Sequence, residues 1–156
     1  MFRIRFAFCM AACITASGAA TAANLSPEQS ILARQAALEM SAVTFGEMKR
    51  GAASGAEART QGFYAGALAS WARVLPWLFP AGTADGATST PTEAKAEIWT
   101  NRADFDAKAA AYLAATNRLV DLSKVNDTAG FQAQLAVVKE TCAACHRSYQ
   151  ARGMGD

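Results

Sequence analysis

Four long stretches of this chain repeat their apolar residues at helical spacing. Ile31, Leu38 and Phe45 recur every seven residues, whereas Phe63, Ala67, Trp71, Val74 and Leu78 recur every three or four. Ile98, Phe105, Tyr112 and Leu119 form a second heptad series, and Phe131, Leu135, Val138, Cys142, Cys145 and Tyr149 alternate by four and three. Spacing close to 3.6 residues gathers each set on one face of an α-helix, leaving polar residues on the other. The pattern predicts a first helix over about 27–50, a second over about 56–79, a third from about 99 to 124, and a fourth carrying Phe131 to Tyr149.

Local signals punctuate these stretches. Ser26-Pro27-Glu28-Gln29 is a capping box with proline at the first helical position, and Ser54-Gly55-Ala56-Glu57 and Thr90-Pro91-Thr92-Glu93 have the same form. The second is expected to open the second helix and the third to open a short helical turn. Gly51 and the Ala-Ser-Gly after it are expected to end the first helix. Pro76 removes a backbone donor and is expected to kink the last turn of the second. Between Pro80 and Trp99 runs a Gly-, Thr- and Pro-rich crossover, the one long connection. Four amphipathic helices, with short links elsewhere, give an all-α, antiparallel up-down four-helix bundle.

The N-terminus changes what composition means. Met1 to Arg5 carries two positive charges, Phe6 to Ala16 is apolar, and Ala20-Thr21-Ala22 fits a small-x-small cleavage rule. Residues 1–23 are therefore expected to be a secretory signal peptide, cut after Ala22 or Ala23, with residues 24–156 as the mature domain. The apolar run is too short to span a bilayer, so no membrane anchor is expected. Met10-Ala11-Ala12-Cys13 offers a lipoprotein alternative, with a poor first residue and a short apolar run before it. Cleavage removes Cys9, Cys13, Arg3 and Arg5, leaving 13 basic against 13 acidic residues. A neutral mature chain has no electrostatic footprint for nucleic acid. About 133 residues suffice for one domain with a real core.

Both remaining cysteines fall in Cys142-Ala143-Ala144-Cys145-His146, a C-x-x-C-H motif. On a helix the two thiols lie one turn apart on a shared face and can bond both vinyl groups of one haem, with His146 as the axial iron ligand. A zinc half-site would need two further ligands, and the mature chain has no other cysteine or histidine. A thioredoxin-like redox pair belongs in a βαβ context that this sequence nowhere suggests. One haem c per chain, held through Cys142 and Cys145, is the expected cofactor. Because the thiols continue the apolar stripe of their helix, that haem is expected to face the core.

With C-x-x-C-H near the C-terminus, Arg34-Gln35 followed by Leu38, Leu75-Pro76-Trp77 and Glu97-Ile98-Trp99, the mature chain resembles the cytochrome c prime family, the class II c-type cytochromes. The resemblance implies that Leu38 packs over the open face of the haem, that Arg34 reaches a propionate, that Trp77 lines the haem and that Trp99 closes the end of the bundle. Tyr149 is expected in the core, its hydroxyl needing a partner. Leu38 cannot ligate iron. Met40 lies about 200° further round the helix, Met48 nearly three turns away, and Met154 in the tail. A five-coordinate, high-spin iron with an apolar distal side is expected, and the resemblance implies nitric oxide and carbon monoxide as its reversible ligands, with no enzymatic role expected.

Three functions compete. A low-spin electron-transfer protein would use a methionine such as Met40 as sixth ligand and needs a rotated first helix. A peroxidase-like haem enzyme would need a distal histidine or a paired arginine, which the sequence lacks. A redox partner protein fits every reading, and a periplasmic location follows from the signal peptide. The resemblance also implies a possible homodimer through the first two helices, where Met40, Val43 and Thr44 lie on the outward side. One departure stands out: many members carry Arg or Lys four residues after the haem histidine, and here that residue is Gln150.

Overall fold

The computed structural model describes residues 25–152; the expected signal peptide and Met154 lie outside them. Helix α1 spans Pro27–Ala53, α2 Gly62–Val74, α3 is the single turn Glu97–Thr100, α4 spans Arg102–Lys124 and α5 Thr128–Tyr149. Two 3₁₀ turns, Ala58–Gln61 and Leu75–Leu78, flank α2. The four long helices form the bundle, with α4 packed against both α2 and α5 and α1 chiefly against α2. The fold is therefore the all-α four-helix bundle that the periodicity predicts.

Ser26 caps α1 as expected, accepting from Gln29 N at 3.2 Å while the Gln29 side chain returns to Ser26 N at 2.8 Å. The expected capping box at Ser54 instead ends α1. Ala56 N–H donates to Gly51 O at 2.9 Å and Gly55 N–H to Ala52 O at 3.1 Å, with Gly55 at φ 77°. That is a Schellman stop, and glycine takes the left-handed position without steric cost. Asn126, at φ 56°, closes α4 by the same pattern through Asn126 N–Ser123 O and Asp127 N–Leu122 O. Asp127 then caps α5 from Gly130 N at 2.8 Å. One three-residue corner thus reverses the chain.

Two other expectations are corrected. Pro76 ends the α-helix at Val74 and tightens the next residues into a 3₁₀ turn, so the second helix is much shorter than 56–79. Its buried face is Ala65, Leu68, Ala69, Ala72 and Leu75, whereas Phe63 is 81% exposed and Ala67 is exposed too. The inward face thus sets three alanines beside Leu68 and Leu75, with Trp71 and Leu78 packed half-buried against it. Thr90 to Glu93 opens no helical turn. This segment runs extended to an antiparallel bridge between Ala94 and Gln150, and the next helical turn begins at Glu97.

The heptads of α4 and α5 behave as expected: Ile98, Phe105, Tyr112 and Leu119 are buried, as are Phe131, Leu135, Val138 and Tyr149. Phe105 stands edge-on to Phe79 at 5.0 Å and to Tyr149 at 5.4 Å, binding crossover, α4 and α5 into one aromatic cluster. Trp99 ties down the crossover by donating its indole N–H to the carbonyls of Phe79 and Pro80 at 3.2 and 3.0 Å.

Candidate haem site

A cavity of about 620 Å³ opens between α1, α2, α4 and α5, within the roughly 300–1,000 Å³ usual for cofactor sites. Cys142 and Cys145 line it from α5 together with His146, and Arg34 and Leu38 line it from α1. The stripe that buries α5 in the bundle thus delivers both thiols to the interior. Five of the six expected site residues meet in one place.

Trp77 does not join them. It sits in the 3₁₀ turn after Pro76, is 75% exposed and lies outside the cavity wall. Six residues separate it from Trp71, and at about 100° per residue that spacing already sets the two on different faces, about 120° apart. Trp71 is the tryptophan that lines the cavity. Its place in the helical series of α2 was the available signal.

The lining chemistry fits a haem held by two thioethers and one imidazole. Both thiols are free and half-buried. Burial raises the Cys142 pKa and pushes that of Cys145 up to about 11, so both rest as neutral thiols. Burial lowers the pKa of His146, which keeps its imidazole neutral, the form that binds metal. His146 Nδ1 is buried without a hydrogen-bond partner. Two free thiols and one neutral imidazole, with Nε2 as its metal-binding nitrogen, make up the donor set of a c-type haem.

Arg34 is 1% exposed, and among the described residues it has no carboxylate partner. Its guanidinium donates to Thr83 Oγ1 at 2.7 Å, Thr83 O at 2.5 Å and Thr92 Oγ1 at 2.7 Å, and lies 4.9 Å from the centre of the Phe79 ring. Burial lowers its pKa to about 10, leaving it charged at neutral pH. A buried cation with only neutral partners calls for an anion, and a haem propionate would supply one.

The wall around Leu38 is less uniformly apolar than expected. Ser41, one turn further along α1, and Tyr112, from α4, also line the cavity. The Ser41 hydroxyl donates to Ala37 O at 2.9 Å, which occupies its proton within the helix. Burial raises the Tyr112 pKa above its ordinary value. Ser41 was legible as a residue three positions from Leu38. Tyr149 is buried as expected, and its hydroxyl donates to Asp104 Oδ2 at 2.6 Å.

Two methionines fall among the described residues. Met40 is 63% exposed and Met48 is buried in the core, and neither lines the cavity.

A family model described as Cytochrome C' matches residues 29–150. The chain belongs to the cytochrome c' family. Cytochrome c' from Pararhodospirillum photometricum is 36% identical over 87 residues, covering 56% of this chain and 67% of that protein. A solved cytochrome c' described as having an unusual ligand-controlled dimer dissociation superposes with a TM-score of 0.78 at 26% identity, covering 83% of this chain and all of its own. A ferrous variant of the Alcaligenes xylosoxidans protein with bound nitric oxide superposes at 0.73 with 26% identity, covering 83% and 99%. Proteins of the family carry covalent haem c, and the cysteines for it are present here. No helix among the described residues is long and apolar enough to cross a membrane.

Proposed function

We propose that this cytochrome c' is a periplasmic gas-binding protein whose haem iron is five-coordinate and high-spin, taking nitric oxide or carbon monoxide on the side covered by Leu38. The observation that carries this reading is Leu38 on the cavity wall with Met40 turned 63% to solvent and Met48 sealed in the core outside the wall. When bound, the haem supplies an iron with one coordination position left over. Cys142 and Cys145 would fix the ring, His146 would hold the iron, and Arg34 would neutralise a propionate. Leu38 offers neither a ligand atom nor a hydrogen bond, so a neutral diatomic molecule loses least on entering.

The same placement argues against a methionine-ligated electron-transfer site, since α1 would have to rotate to bring Met40 inward. His146 is the sole histidine, and the Arg34 guanidinium is committed to Thr83 and Thr92, which supports a binding role over peroxide chemistry. Electron exchange with a partner protein is compatible with this reading.

Leu38→Ala tests it. Removing the side chain is expected to speed carbon monoxide association with the ferrous protein about ten-fold, equivalent to about 1.4 kcal/mol off the entry barrier. Stopped-flow mixing reads the rate, and an unchanged rate would place the ligand elsewhere.

We also infer a homodimer through α1 and α2. Leu32, Met40 and Val43 are exposed on α1, and Phe63 is 81% exposed near the start of α2. Sedimentation equilibrium should give the mass of two chains for the native protein and of one for the doubly substituted Val43→Glu, Phe63→Glu protein. A single-chain mass for the native protein would exclude the dimer.

A further inference from the structure

At the end of α5 two buried polar atoms lack partners, and their chemistry is complementary. One is His146 Nδ1; the other is Gln150 Oε1, and both residues line the haem cavity. A neutral imidazole with one nitrogen on a metal carries a hydrogen on the other, which needs an acceptor. An amide oxygen is an acceptor.

The orientation of that amide is fixed by its other end. Gln150 Nε2 donates to Glu93 Oε2 at 2.5 Å, and an ionised carboxylate can only accept. The nitrogen is therefore committed to Glu93, and the oxygen is the end left over. Glu93 is itself tethered, through Arg152 Nε at 2.9 Å and through its carbonyl, which accepts from Ala151 N at 2.8 Å. The backbone holds Gln150 just as firmly. Its N–H donates to His146 O at 3.0 Å, Lys95 N–H donates to Tyr149 O at 3.0 Å, and Ala94 bridges to Gln150.

We propose that Gln150, oriented by Glu93, is the positioning residue that accepts the Nδ1–H of His146 once Nε2 is on the iron. The inference rests on the haem reading above and extends it to the strength of the iron–histidine bond. An imidazole that donates to an acceptor becomes a more basic ligand and favours the ferric state. A cation at position 150 would act in the opposite direction. The extended segment from Glu93 to Lys95, the product of a failed helix start, is what supplies the anchor.

Resonance Raman spectroscopy of the ferrous, ligand-free protein reads the iron–histidine stretch directly, and a redox titration reads the potential. Gln150→Leu should move the stretch to lower frequency and favour reduction about ten-fold, or about 59 mV for one electron. Exchanging the pair, Glu93→Gln with Gln150→Glu, restores an acceptor with more charge and should move the stretch above the native value. A purely structural role predicts no such change of sign. If the haem is attached and neither exchange moves the stretch, Gln150 has no such role. If no haem is attached to the native protein, it is the haem reading that falls.

Discussion

Replacing Cys142 and Cys145 together by serine leaves a protein from which acidified organic solvent extracts all the haem, and a bundle with little cooperative structure once it is gone. The thiols are the only cysteines among the described residues, so no other cysteine of the bundle can take over attachment. The structural consequence follows from the size of the cavity. At about 24 cal/mol per Å³, 620 Å³ of unfilled core corresponds to roughly 15 kcal/mol, as much as the whole stability of an ordinary domain. Water entering through the open side reduces that figure without removing it. Each single serine variant should keep one thioether and most of its helix content. Circular dichroism on extracted and unextracted protein separates the two effects, and an extracted double variant with native melting would show that the haem is not part of the core.

Arg34→Leu is expected to lower the stability of the haem-loaded protein by about 3–5 kcal/mol, the range for removing one partner of a buried ion pair, here the one with a haem propionate. Arg34 joins α1 to two points of the crossover, Thr83 and Thr92, which have no helix of their own to hold them. Without the guanidinium, the Thr83 carbonyl loses that buried donor and the Thr92 hydroxyl loses one of its two. Arg34→Lys should recover only part of the loss, because one ammonium cannot reproduce the planar fork. Denaturant unfolding of the haem-loaded proteins measures both. A Lys variant as stable as the native protein would mean that charge alone, and not the fork to Thr83 and Thr92, does the work.

The sequence made the outer logic of the molecule legible where one residue pattern had one physical outcome. The strict heptads of α4 and α5 placed Phe105, Leu119 and Val138 in the core, and the C-x-x-C-H motif at the end of the α5 stripe placed the haem ligands inside. It misled where a pattern had two outcomes. Ser54-Gly55-Ala56-Glu57 has the residues of a helix start and also the glycine of a helix stop, and the hydrogen bonds to Gly51 and Ala52 decide for the stop. On α2 the expected series reached the interior only in part: Trp71 and Leu78 pack against the core, whereas Phe63 and Ala67 face solvent and Leu68 and Leu75 take the buried face. Pro76 was recognised as a disturbance, but the 3₁₀ turn that carries Trp77 out to solvent depends on how the chain leaves α2. The Glu93–Gln150 pair joins residues 57 apart, and no local pattern marks it.

The central claim is that the chain supplies one axial ligand to its iron and no second. The optical spectrum of the purified ferric and ferrous protein, before and after carbon monoxide, tests it most directly. The account predicts a high-spin spectrum in both states and a clear change when carbon monoxide is added to the ferrous form. A low-spin spectrum with a methionine-to-iron charge-transfer band, unmoved by carbon monoxide, would contradict it and make the protein an electron carrier with a rotated α1.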